Sequence, residues 1–198
     1  MIIYKSEKEI REISKSNRIV AQVLAEVSKM VQPGITTLEL DRYAEKRARD
    51  MGAVPAFKGY RGYPSSLCTS VNEEIVHGIP SKRALKIGDI LSLDFGVVLN
   101  GFYGDAAVTL PVGDISPTAV KLINTVKESL YEGIKKAVSG NRISDISAAV
   151  QNYVENLGFN VIRNFVGHGI GFSLHEEPQV PNFGVPGQVP KIKPGMVI

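Results

Sequence analysis

Two apolar runs, Ile90 to Leu99 and Phe102 to Leu110, flank the dipeptide Asn100-Gly101. Asn-Gly between two such runs is the strongest short-range signal for a β-hairpin closed by a two-residue turn. A turn of that length sets the register: Leu99 pairs with Phe102, Gly96 faces Asp105 and Leu93 faces Val108. Side chains alternate sides along a strand, so Asp94 and Asp105 share one face as diagonal neighbours, with Cβ atoms about 7 Å apart or less. Carboxylates are costly to bury in so apolar a ribbon, and two on one face also repel. A shared proton or a bound cation relieves both problems, and the gap suits a pair of metal ions about 3.5–4 Å apart. A plainer alternative is that Asp105 serves a Gly104-Asp105 turn and Asp94 answers a lysine.

Around the hairpin the chain reads as helix pairs. From Ser6 to Val31, Ile10, Ile13, Val20, Val23, Leu24 and Val27 recur at helical spacing, and Gln32-Pro33-Gly34 ends the run. Thr36 opens a second helix, with Glu39 placed to complete a capping box; its inner stripe is Leu40, Ala44, Ala48 and Met51, and Gly52 stops it. Residues 53 to 80 are short apolar pieces broken by Gly59, Gly62, Pro64 and Pro80, a strand-and-loop pattern. A third helix is expected over Pro117 to Val138. A fourth is expected from near Ser144 to Gly158, with the stripe Ile146, Val150, Val154 and Leu157.

That last stripe and its closing glycine repeat the second helix at an offset of 106, while Ile192 to Ile198 resembles Leu85 to Leu91 at an offset of 107. Two concordant offsets point to an internal duplication. The expected architecture is a single α+β domain of two similar halves, about 1–110 and 111–198. In the first half the segment matching Met196-Val197-Ile198 continues through Ser92-Leu93-Asp94 into the hairpin. A last strand that stops there exposes a sheet edge, so we expect the chain as given to be a fragment lacking C-terminal strands.

Composition narrows the class. With 198 residues, 43% hydrophobic and 22% charged, the chain has enough material for a core without staples and is neither disordered nor collagen-like. No stretch approaches the roughly 20 apolar residues of a spanning helix. The net charge of +3 is mild, and Lys46-Arg47 and Lys135-Lys136 are too short to demand a nucleic-acid groove. The single cysteine, Cys68, forms no internal disulfide, and charge appears too early after Met1 for a secretory signal. A cytoplasmic protein without a membrane span is expected.

All three histidines sit on turns bounded by glycine or proline: His77 before Gly78-Ile79-Pro80, His168 between Gly167 and Gly169, and His175 before Glu176-Glu177-Pro178. One alone is as well explained by structure as by chemistry. Three, alongside two strand aspartates and no thiolate pair, point to Zn, Mn, Fe or Co. Asp94-Phe95-Gly96 lacks the other kinase motifs, and Gly167-His168-Gly169-Ile170-Gly171 is not a dinucleotide fingerprint.

Taken in order, Val76-His77-Gly78-Ile79-Pro80, Gly88 to Gly96, Gly101 to Ala107 and Gly167 to Pro178, together with Tyr60-Arg61-Gly62-Tyr63-Pro64, resemble type I methionine aminopeptidases. The resemblance covers essentially the whole chain. It implies the pita-bread fold, two pseudo-symmetric α+β halves around a central antiparallel sheet with the second half incomplete, and a site of two divalent metal ions. Asp94, Asp105 and His168 are the implied ligands, with Asp105 bridging. Two glutamate ligands are implied beyond Ile198, the first about three residues on, so the chain as given should be inactive or nearly so.

The resemblance also implies that His175 stabilises the oxyanion and that His77 hydrogen-bonds the scissile amide, both touching substrate. The implied methionine pocket is built from Phe57, Tyr60, Tyr63, Cys68 and Leu174. The implied activity is removal of the N-terminal methionine from nascent chains with a small second residue, near the ribosome, by a monomer. An Xaa-Pro peptidase of similar fold, or a silent peptide-binding module of that fold, is the competing expectation.

Overall fold

The computed structural model describes residues 1–198. It divides into two compact units, one of Arg11–Val120 and one of Met1–Ile10 with Lys121–Ile198.

The first unit contains most of α1 (Glu7–Ser28), then α2 (Thr37–Asp50), β1 (Val54–Pro55), a 3-10 turn at Tyr60–Gly62, β2 (Leu67–Val71), β3 (Ile90–Leu99) and β4 (Phe102–Pro111). All strand pairs are antiparallel. β3 pairs with β4 along one edge for its full length, while β2 and β1 share the other edge in succession. The hairpin has the expected register, with Leu99 opposite Phe102, Gly96 opposite Asp105 and Leu93 opposite Val108. Asn100 and Gly101 have φ of 53° and 81°, the left-handed pair that a tight hairpin turn requires.

β3 is less uniform than its apolar sequence suggests. Leu91, Leu93, Phe95 and Val97 are fully buried, in one cluster with Val20, Val23, Leu24 and Val27 of α1 and Leu40, Ala44 and Ala48 of α2. Ser92, Asp94 and Gly96 alternate with them and face the other way, beside Cys68 and Ser70 of β2 and Asp105 and Thr109 of β4. Ser92 and Thr109 hydroxyls hydrogen-bond at 2.8 Å on this polar face. Each large apolar side chain on the helix side contributes about 1.5–3 kcal/mol of burial. Ile10, expected on the inner stripe of α1, is 39% exposed because it lies ahead of the sheet-covered turns.

The second unit carries most of α3 (Pro117–Lys136), α4 (Ile143–Asn156) and a two-stranded antiparallel ribbon of β5 (Val166–Gly169) and β6 (Glu176–Pro181). Its backbone repeats the first unit at 106 or 107 residues. Gly34 N donates to Leu85 O as Gly140 N does to Ile192 O, and Leu85 N to Ile35 O as Ile192 N does to Asn141 O. Thr37 Oγ1 bonds the backbone N and O of Ser81; Ser144 Oγ does the same to Gln188. Thr36 and Glu39 form the expected capping box, and Asp145 accepts from Arg142 N at 2.7 Å at the corresponding helix start. Gly52 and Gly158 close the two helices at φ 79° and 86°. The stripe of α4 is shallower than expected: Ile146 and Val154 are buried, Val150 is half-buried and Leu157 is 37% exposed.

Candidate metal centre

Asp94 lies in the middle of β3, between Ala107 of β4 and Cys68 of β2. Burial pushes its carboxyl up to about 8, with the charge of Asp105 and a hydrogen bond to it adding to the rise. Two carboxyl groups this close on a buried face are eased by sharing a proton or by taking up a cation.

The strand that carries Asp105 is packed closely on both sides. Gly96 stands opposite it, and a Cβ there would come 2.7 Å from Phe57 Cε1, so the ring closes over bare backbone. At Gly104 a Cβ would meet Asn17 N and Oδ1 at 2.7 Å, which is why β4 can lie directly on α1. From α1, Asn17 Oδ1 accepts from Asp105 N at 3.2 Å and Ser16 Oγ donates to Phe102 O at 2.8 Å.

Of the expected pocket residues, Phe57 and Cys68 are buried in this unit, and Tyr60 and Tyr63 are half-buried. Burial pushes the Cys68 thiol up to about 12, contact with Tyr63 works the other way, and Asp94 and Asp105 add to the rise. Cys68 is therefore a neutral wall. Tyr63 donates to Leu67 O at 3.1 Å and Gly78 O at 2.9 Å, and burial pushes its hydroxyl up as well. Gly78 O also accepts from Thr69 N, and Gly78 N donates to Ser70 Oγ. A Cβ on Gly78 would lie 2.4 Å from Thr69 O, so only glycine permits this contact. His77, immediately before it, is exposed and left-handed at φ 61°. Such a backbone costs a histidine on the order of 1 kcal/mol and is retained where the surroundings enforce it.

In the second unit, His168 lies on β5 opposite Gln179, at a register shift before Gly169. Its Nδ1 is 3.0 Å from Gly169 O. In the tautomer that donates this bond, Nε2 carries the lone pair that a metal needs. The exposed His175 ring lies 4.3 Å from that of His168, centroid to centroid, and Leu174 before it is 3% exposed. Glu176 anchors this loop by accepting from Phe172 N at 2.6 Å and Ser173 N at 3.0 Å.

The two aspartates are thus assembled in one unit and the two histidines in the other. No group of three or more His, Cys, Asp or Glu side chains forms a ready-made metal cage. Each group by itself has chemistry that suits a hard or borderline divalent cation: in the first unit a carboxyl pair whose mutual repulsion a cation would relieve, and in the second an imidazole oriented by a backbone carbonyl. Asn17, Lys5 and Glu176 are supporting residues that the sequence reading missed. Only Glu176 lay inside a quoted motif.

The model of metallopeptidase family M24 matches residues 11–198. The methionine aminopeptidase of Clostridium acetobutylicum is 52% identical over 100% of this chain, which covers 80% of that protein. A solved methionine aminopeptidase from Thermotoga maritima has a TM-score of 0.96 at 44% identity, across 99% of this chain and 79% of that one. An Xaa-Pro dipeptidase from Bacillus anthracis, at 23% identity and TM-score 0.83 over 98% of this chain and 52% of its own, shares the fold alone. The chain belongs to metallopeptidase family M24, with its α+β pita-bread fold.

Proposed function

We propose that this chain is a methionine aminopeptidase, removing the N-terminal methionine from peptides and nascent chains whose second residue is small. The observation that carries the reading is the β3–β4 register, which sets Asp94 and Asp105 on one face, joined to 52% identity with a methionine aminopeptidase over the whole chain. Asp94, Asp105 and His168 would hold two divalent ions, of Co, Mn, Fe or Zn. When bound, these would make water nucleophilic near neutral pH and polarise the scissile carbonyl.

The chain's own groups supply the rest. His77 hydrogen-bonds the scissile amide and His175 donates to the developing oxyanion. Phe57, Tyr60, Tyr63, Cys68 and Leu174 form an apolar pocket for the methionine side chain; the neutral thiol suits it. The two similar halves, about 1–110 and 111–198, act as one catalytic domain. It works in the cytoplasm as a monomer near the ribosome, without reading nucleic-acid sequence; no helix is long and apolar enough to cross a membrane.

The test is hydrolysis of Met-Ala-Ser and of an Xaa-Pro peptide, with and without Co²⁺ or Mn²⁺. The resemblance implies two further carboxylate ligands, so the assay uses the full-length protein. Metal-dependent release of methionine from the first peptide alone is expected. Release from neither removes the assignment, and release from the second alone replaces it with the Xaa-Pro reading.

A further inference from the structure

Lys5 enters the second unit from the segment ahead of α1 and is buried to 1% side-chain exposure, beside Glu176 at 8%. Its Nζ donates to Glu176 Oε2 at 2.5 Å and to Ile3 O at 3.3 Å, and lies 5.1 Å from the centre of the Phe172 ring. The other carboxylate oxygen, Oε1, accepts the Phe172 and Ser173 amides. One carboxylate therefore joins the lysine to the loop that ends in Leu174 and His175.

The surrounding backbone makes room for this one side chain. A Cβ on Gly171 would sit 2.3 Å from Lys5 Cε, and a Cβ on Gly195 would sit 2.7 Å from Lys5 O. Lys5 N donates to Gly195 O at 2.6 Å, which fixes the depth of insertion. Burial works to raise the Glu176 carboxyl, and the hydrogen bonds from Lys5, Ser173 and Phe172 outweigh it, so it stays ionised. Buried ion pairs add little net stability over apolar residues of the same shape, whereas removing one partner leaves the other charge buried and unpaired. A pair of this kind is better explained by the geometry it imposes than by the stability it adds.

We propose that Lys5 is a positioning residue: through the Glu176 carboxylate it holds the loop at 171–175, and with it the His175 imidazole and the Leu174 wall, in the orientation that the reaction needs. This rests on the aminopeptidase reading for the role of His175 but on geometry alone for the coupling. The carboxylate spans the loop amides on one side and the ammonium on the other, so loss of the ammonium frees it to swing toward water. The loop amides then lose their fixed acceptor, and the adjacent His175 ring loses its bearing. Misplacement by about 1 Å at a catalytic group costs on the order of 100-fold in rate.

The test compares Lys5→Met, Lys5→Arg and Glu176→Gln with the parent enzyme, using Mn²⁺ and Met-Ala-Ser, per correctly folded molecule. Lys5→Met and Glu176→Gln are expected to lower kcat about 10- to 100-fold with KM changed by less than about threefold, and Lys5→Arg to recover most of the rate. Glu176→Gln retains an oxygen for the two amides, so the comparison stands if Lys5→Met does not fold. In metal-free protein the NMR signals of His175 are expected to move in Lys5→Met and to stay in place in Lys5→Arg. A folded Lys5→Met or Glu176→Gln protein with parental kcat, or with unmoved His175 signals, overturns the proposal. Failure of the parent enzyme to release methionine would instead strike the aminopeptidase reading, leaving the His175 signals to judge Lys5.

Discussion

The helices α1 and α3 follow one pattern and end in opposite surroundings. Ile19, Val23 and Val27 of α1 correspond at 106 residues to Thr125, Ser129 and Gly133 of α3, and all six are buried. The adjoining stripe differs: Val20 and Leu24 are 0% and 7% exposed, whereas Val126 and Leu130 are 52% and 58% exposed. In the first unit the β3–β4 hairpin covers that stripe, while the ribbon of the second unit pairs only β5 with β6. Helix periodicity therefore specifies which faces want cover, and only the strands decide which of them receives it. The seat against α4 is also tighter: a Cβ on Gly133 would lie 3.0 Å from Val150 Cγ2.

The comparison can be broken most forcefully at the hairpin's outer, polar face. Asp105→Ala should lower metal-dependent methionine release by about 10³-fold or more, since loss of a ligand forfeits several kcal/mol of charge stabilisation. Near-parental turnover would detach the chemistry from the hairpin. On the inner face, Phe95→Ala should cost about 3–5 kcal/mol in urea unfolding, because the ring is fully buried between the helices and the sheet. A loss below about 1 kcal/mol would show that the sheet does not carry the packing that distinguishes α1 from α3.

Acidity gives a third handle. The unfolded chain releases the Asp94 proton near 3.8, whereas the folded, metal-free chain holds it up to about 8. Stability from this group is therefore full below the lower value and falls as pH rises through the upper one. The melting temperature of metal-free protein should decline from pH 5 to 8.5, more gently in Asp94→Asn, and Mn²⁺ should flatten the decline. Identical slopes in both proteins would remove Asp94 as the cause. Asn17→Ala deletes one hydrogen bond to Asp105 N and should cost about 1 kcal/mol.

The local features were legible in the sequence because short-range chemistry sets them. Asn100-Gly101 dictated the turn, Thr36 and Glu39 the helix start, and the concordant offsets the repeat, down to matching backbone hydrogen bonds. The alternation within β3 was masked because Ile90 and Val98 are apolar on the polar face and Gly96 has no side chain to betray its side. Lys5 was illegible for a different reason: its partner lies 171 residues away, and nothing around it distinguishes it from a solvated lysine. The left-handed backbone of His77 depends likewise on a distant contact, between Gly78 and β2.

The two-residue loop at Asn100-Gly101 makes chain length a chemical variable. One amino acid added there, with β3 unmoved, would rotate every position of β4 to the opposite surface. Asp105 would be driven among the leucines, opposite Phe95, and Gly104 would take its seat opposite Gly96. An insertion at this exposed tip would disable the enzyme as surely as deleting the carboxylate itself.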